Sequence, residues 1–166
     1  YISTNPNDMA AQNHSWTVTL KPEVATQTTD VPLLGAVGFA INGVPIFHYS
    51  KAPDPSVDPN KSHPDTVTEG ELDDCGGHSG QGDDYHYHSV PICLVDKENL
   101  DMPIAYSLDG APVFFGSAPE SDRLKDLGLS ENSAPVGLDL CNAIKNNDGS
   151  WAYFTTHLPP YIVGCH

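Results

Sequence analysis

The chain has 166 residues, 39% of them hydrophobic, and a formal net charge of −15 from 22 acidic against 7 basic side chains. That length suits one domain with a real core. So few scattered cations build no basic patch, which argues against nucleic acid and anionic membrane surfaces as partners and disfavours a highly anionic polymer as substrate.

No apolar run reaches transmembrane length, so membrane insertion is not expected, and no signal peptide opens the sequence; Tyr1 reads as the start of a mature or trimmed chain. Residues 1–34 read as a lead-in with one strand. Within it, residues 14–20 alternate apolar and polar side chains at Trp16, Val18 and Leu20, which predicts a half-buried strand. Residues 35–166 read as one globular unit. Its first apolar runs, residues 35–41 and 44–49, flank Asn42-Gly43; a second pair, 104–108 and 113–115, flanks Asp109-Gly110. Both dipeptides tolerate the positive φ of a type I′ turn and predict two β-hairpins. Pro45 and Pro112 have no N–H to give a ladder, which places them at strand starts or edges.

Between Ala52 and Glu71, Pro53, Pro55, Pro59 and Pro64 interrupt a stretch that also carries Asp54, Asp58, Asp65 and Glu69. These carboxylates lack the ordered spacing of an EF-hand, so the stretch reads as a long solvated loop rather than a calcium site. Residues 85–90 and 151–156 have strand composition. Helix is scarce: Ser121 is placed to cap a short one over residues 122–127, stopped at Gly128.

Four cysteines, Cys75, Cys93, Cys141 and Cys165, include no Cys-x-x-Cys pair. An even number at such spacing favours two disulfides and an oxidising compartment over a zinc ribbon.

The sequence also repeats itself. Asn42-Gly43-Val44-Pro45-Ile46-Phe47 matches Asp109-Gly110-Ala111-Pro112-Val113-Phe114 at an offset of 109 − 42 = 67, and Cys75 matches Cys141 at 141 − 75 = 66. At that second offset Tyr85-His86-Tyr87-His88 falls on Trp151-Ala152-Tyr153-Phe154, and Cys93 then corresponds to Cys165. Several blocks in matching order point to an internal duplication, with one repeat over about 35–95 and another over about 103–166. The fold class expected is mainly β: two degenerate repeats packed about a pseudo-twofold axis, burying Phe39, Ile41, Ile46, Tyr106 and Phe114. The repeat suggests the pairings Cys75–Cys93 and Cys141–Cys165, among the three that four cysteines allow.

The halves differ in chemistry. On a strand, His86 and His88 share one face and Tyr85 and Tyr87 the other. The glycines of residues 79–84 let the chain fold back and bring His78 over the histidine face. Neutral imidazoles suit copper and zinc, and three of them leave a coordination position open. In the second half Ile144, Ala152 and Phe154 stand where His78, His86 and His88 stand in the first, so the metal site belongs to the first half. His48, whose counterpart is Phe115, and Asp74 are weaker ligand candidates, and His63 weaker still. His157 and His166 match no first-half histidine and read as surface or terminal residues.

With these blocks, the chain resembles the YHYH-domain family, named for the motif at Tyr85-His86-Tyr87-His88. The likeness runs from about Gly35 to Cys165 and includes Asn42-Gly43-Val44-Pro45-Ile46, His78, Ala105-Tyr106-Ser107-Leu108-Asp109-Gly110-Ala111-Pro112 and Tyr161-Ile162-Val163-Gly164-Cys165. It implies a secreted or envelope-associated module, and carries functional candidacy to His78, Tyr85, His86, Tyr87 and His88 alone. Asp83-Asp84, just before the motif, departs from the small residues common there and adds negative charge.

Three functions follow as expectations. The first is a secreted, extracellular or periplasmic protein that captures or delivers one copper or zinc ion. The second is a metal-dependent hydrolase or copper oxidoreductase acting on an extracellular substrate such as a polysaccharide, with Asp74, Asp83 or Asp84 as base. The third is an interaction module with structural histidines. No Gly-x-Ser-x-Gly elbow, phosphate-binding glycine loop or His-Glu-x-x-His motif is present, so the familiar hydrolase and nucleotide classes find no support.

Overall fold

The computed structural model describes residues 7–23, 25–51, 64–129 and 134–166. His63, Asp54, Asp58, Pro53, Pro55 and Pro59 lie outside them. The described residues form eight strands: β1 (Ala36–Ala40), β2 (Pro45–Phe47), β3 (Gly77–Ser79), β4 (Tyr85–Tyr87), β5 (Pro103–Ser107), β6 (Pro112–Phe114), β7 (Ala143–Lys145) and β8 (Trp151–Phe154). They form one sheet in the order β3-β4-β2-β1-β5-β6-β8-β7. At its centre β1 and β5 run antiparallel, with Phe39 opposite Tyr106. Moving outward, β2 is antiparallel to β1 and parallel to β4, and β4 is antiparallel to β3. On the other side β6 is antiparallel to β5 and parallel to β8, and β8 is antiparallel to β7. The fold is mainly β, as the composition predicts.

Both predicted hairpins form, but not through type I′ turns, which need positive φ at both central residues. Only the glycine of each dipeptide is left-handed, with φ of 84° at Gly43 and 91° at Gly110. Gly43 N–H donates to Ala40 O and Gly110 N–H to Ser107 O, so each turn is a three-residue loop closed by a glycine bulge. Asn42 Oδ1 and Asp109 Oδ1 then accept from the N–H two residues on, Val44 and Ala111.

The expected strand over residues 14–20 is absent. This segment runs across the tips of the two turns: Trp16 Nε1 donates to Gly43 O, and Thr19 O sits where a Cβ on Gly110 would be. Leu20 is 95% exposed, so the alternation there reflects contact at Trp16 and not sheet pairing. The short helix α1 (Asp122–Asp126) is where the cap placed it, with Ser121 Oγ accepting from Leu124 N–H. No helix among the described residues is long and apolar enough to cross a membrane.

The core differs from the expected set. Ile46 is buried, whereas Phe39, Tyr106 and Phe114 are half-buried and Ile41 is 55% exposed. Val37, Ala40, Ile104, Ala105 and Val113 take the inner face instead, against Ile92, Leu124, Ile162 and Val163. Phe39 turns outward and stacks between Trp16 and Tyr106, at 5.6 and 6.0 Å between ring centroids. Disulfides join Cys75 to Cys93 and Cys141 to Cys165, the pairing the repeat suggests.

Candidate metal centre

Residues 77–79, just before the expected fold-back over 79–84, form the edge strand β3, and His78 lies directly opposite His86 on β4. Opposed residues share a face of the pleat, and His88, two residues on, returns to it. The three imidazoles are therefore brought together by register alone. His78, His86 and His88 are 8%, 5% and 6% exposed, and one nitrogen of each lies within 4.8 Å of the others.

Carbonyl groups hold each ring from outside the cluster. His86 Nδ1 donates to Asp84 O at 2.9 Å, and His88 Nδ1 donates to His48 O in a very short contact. With both Nδ1 atoms protonated, the neutral tautomers leave Nε2 bare on both rings. Those two Nε2 atoms face each other at 3.0 Å. His78 hydrogen-bonds the Glu71 backbone, and its buried Nδ1 has no partner. Three nitrogen lone pairs thus converge in a buried space with no donor supplied by the described residues. Without a cation, one ring must take a proton on Nε2, which either breaks its carbonyl bond or buries a charge.

Burial is the largest influence on all three rings and lowers their pKa values, outweighing the hydrogen bonds and carboxylates that raise them. His88 is pushed down to about 3. These depressed values set a sign for stability. Below the ordinary histidine value of about 6.5 the unfolded chain takes up protons that the folded metal-free chain refuses, so stability is held above that pH and lost on acidification toward about 3. Each histidine still neutral in the fold adds a slope of about 1.4 kcal/mol per pH unit in that window. Denaturant midpoints of chelator-treated protein at pH 7, 6 and 5 should fall in order, and the His88→Gln variant should show a shallower decline. Equal slopes in the two proteins would contradict the burial of His88 as a neutral base.

Phe47, at the end of β2, stacks on His86 at 4.2 Å between centroids and meets His88 edge-on at 6.2 Å. The parallel pairing of Ile46 with Tyr87 puts it there. The tyrosines of the motif point elsewhere: Tyr85 OH donates to Asp73 Oδ2 at 2.7 Å, and buried Tyr87 OH accepts from Asn42 Nδ2. Neither adds a donor to the cluster.

The weaker candidates separate from it. His48 contributes its backbone carbonyl, while its side-chain Nδ1 accepts from Ser50 N–H at 3.0 Å. Asp74 is exposed and outside the group of three, as is Asp83. Asp84 Oδ2 lies 3.6 Å from His86 Nδ1, behind the ring and away from the facing nitrogens. His166 is not a loose terminal residue: its backbone pairs with Thr29, and its ring reaches Ser107 Oγ at 3.2 Å and Asp109 Oδ2 at 3.5 Å. Sequence reasoning missed Phe47 and the carbonyls of His48 and Glu71. Phe47 carried no signal of its own, because its duplication at Phe114 speaks for the fold both halves share and not for the site; backbone carbonyls carry no residue signature.

No curated protein and no solved structure matches the chain. A family model described as YHYH protein matches residues 15–131, which takes in the three histidines, all of β1 to β6 and the motif that carries the name. It begins earlier than the sequence blocks indicate and stops before β7 and β8. With the model covering well over half of the sequence, the chain belongs to the YHYH family.

Proposed function

We propose that this chain binds one copper or zinc ion through His78 Nδ1, His86 Nε2 and His88 Nε2, and captures or delivers it in an oxidising, extracellular or periplasmic setting. The observation that carries this reading is the pair of bare Nε2 atoms at 3.0 Å, each fixed by a carbonyl on its Nδ1. Two nitrogens at that separation can share an ion at the ~2.0 Å of a metal–imidazole bond. Carbonyl-held ligand histidines are the usual device for fixing the tautomer and the ring plane. The two disulfides support the oxidising compartment. Burial of all three rings favours retention over turnover.

Elemental analysis of protein purified without a metal-affinity tag should find one equivalent of metal, absent from the His86→Ala/His88→Ala variant. A wild-type protein that stays metal-free after incubation with copper and zinc would end this reading. Gly80 provides a subtler probe. A Cβ there would lie 2.7 Å from Asp84 Oδ1 and 2.9 Å from His86 Cε1, so Gly80→Ala should displace the ring. The expected loss is about tenfold in metal affinity by chelator competition, with the circular dichroism spectrum unchanged.

We place the site in the first of two duplicated halves of a single unit over residues 35–166, after a lead-in over 1–34. Matching bonds support this. Asp73 Oδ1 accepts from Cys75 and Gly77 N–H, and Asp139 Oδ1 accepts from Cys141 and Ala143 N–H. Tyr87 is bonded by Asn42, and Tyr153 by Asp109.

A further inference from the structure

We infer that the ion this site is built to hold is monovalent copper, in preference to zinc or divalent copper; the inference rests on the metal-binding reading above. Four features of the cluster lead to it. All three donors are neutral imidazoles, and the outer nitrogen of each is hydrogen-bonded to backbone, not to a carboxylate. Among the described residues no anionic group joins the three rings: the four cysteines are consumed in disulfides, both motif tyrosines are bonded away from the cluster, and Asp84 stands behind His86. No ligand would neutralise the ion by direct coordination, and the carboxylates of Glu71, Asp73 and Asp84 act on the rings only through space. The rings are also almost completely buried, with Phe47 packed flat on His86.

Charge and coordination number then select in the same direction. Desolvation energy grows with the square of the charge, so a dication costs about four times as much as a monocation to bury here. Zinc prefers four ligands, and where a protein supplies three a water completes the shell. Divalent copper prefers a tetragonal arrangement. Monovalent copper, with a filled d shell, is satisfied by two or three nitrogens and needs no water. The cluster supplies three nitrogens, all on nearly buried rings, with an aromatic ring packed flat on one of them.

The test is competition on the full, disulfide-intact chain. Copper is presented with ascorbate and without oxygen against a chromogenic chelator of monovalent copper; zinc and divalent copper are presented aerobically against chelators of their own. The expected result is one monovalent copper per chain, held at least a thousandfold more tightly than zinc, with an X-ray absorption edge typical of three-coordinate nitrogen ligation. Zinc or divalent copper bound as tightly as monovalent copper would overturn the inference and leave the metal-binding reading standing. Failure of all three ions to bind would remove both.

Phe47→Ala and the milder Phe47→Leu probe the cause. Opening the His86 face to water should shrink the preference for monovalent copper over zinc at least tenfold in Phe47→Ala and less in Phe47→Leu. Because the readout is a ratio within one protein, a general loss of stability does not mimic it. A ratio unchanged in both variants would overturn the argument that burial sets the choice.

Discussion

Saturating metal-stripped protein with ascorbate-reduced copper should raise its melting temperature by about 10 °C. A ligand present at about a thousand times its dissociation constant stabilises the state it binds by about 4 kcal/mol. For a chain of this size each kcal/mol is worth roughly 2–4 °C. The unfolded chain offers no competing site of the same quality, because convergence of the three imidazoles depends on the β3–β4 register that pairs His78 with His86. His86→Ala/His88→Ala should show no shift, and its metal-free form should melt below the wild type, since the buried carbonyl of His48 loses its donor. Differential scanning calorimetry with and without metal decides it. Identical melting of loaded and stripped wild-type protein would be incompatible with a site formed only in the fold.

The second large effect concerns the disulfides, which should be alike in stability and unlike in function. Cys75–Cys93 and Cys141–Cys165 close loops with sequence separations of 18 and 24 residues. Restricting the unfolded chain to loops of that size is worth about 3 kcal/mol for each. Paired Cys→Ser variants of either bridge should therefore lose comparable stability in denaturant titrations. Metal retention should respond to one alone. β3 is a three-residue edge strand whose one neighbour in the sheet, among the described residues, is β4, and Cys75 stands two residues before it. Without its bridge, the strand that carries His78 keeps the β4 ladder, the bonds of Asp73 to Gly77 and of Glu71 to His78, and the contacts of Asn7 and Asp8 with Ser79, but loses the covalent tie just before it. Cys75→Ser/Cys93→Ser should lose at least about tenfold in metal affinity, while Cys141→Ser/Cys165→Ser retains it. Equal losses in the two variants would mean that the site depends on global stability and not on local anchoring of β3.

The half-exposed aromatic residues show where pattern reading stops. Phe39 and Tyr106 are the large apolar side chains of β1 and β5, and hydrophobicity alone assigns them to the core. The inner face of that central pair is instead lined by Val37, Ala40, Ile104 and Ala105. Both aromatics lie on the outer face, where the lead-in lays Trp16 over Phe39. The same lead-in carries an alternating pattern and yet forms no strand. Alternation describes which faces a strand would present; pairing requires an open sheet edge, and this segment crosses turn tips.

What the sequence determined by itself is whatever local geometry imposes. The two-residue period of a strand places His86 and His88 on one face wherever that strand lies. Glycine's freedom at positive φ fixes the closing residue of both hairpins. The repeated cysteines suggested the pairing that the fold contains. The tertiary structure alone decided the rest, because those contacts join segments whose meeting depends on sheet order. Parallel pairing of β2 with β4 brings Phe47 onto His86 and the carbonyl of His48 to His88, across a separation of 40 residues. That carbonyl sets the tautomer, and the tautomer decides that two bare nitrogens face each other. No residue type encodes a backbone carbonyl, so this part of the site becomes visible only when the chain has folded.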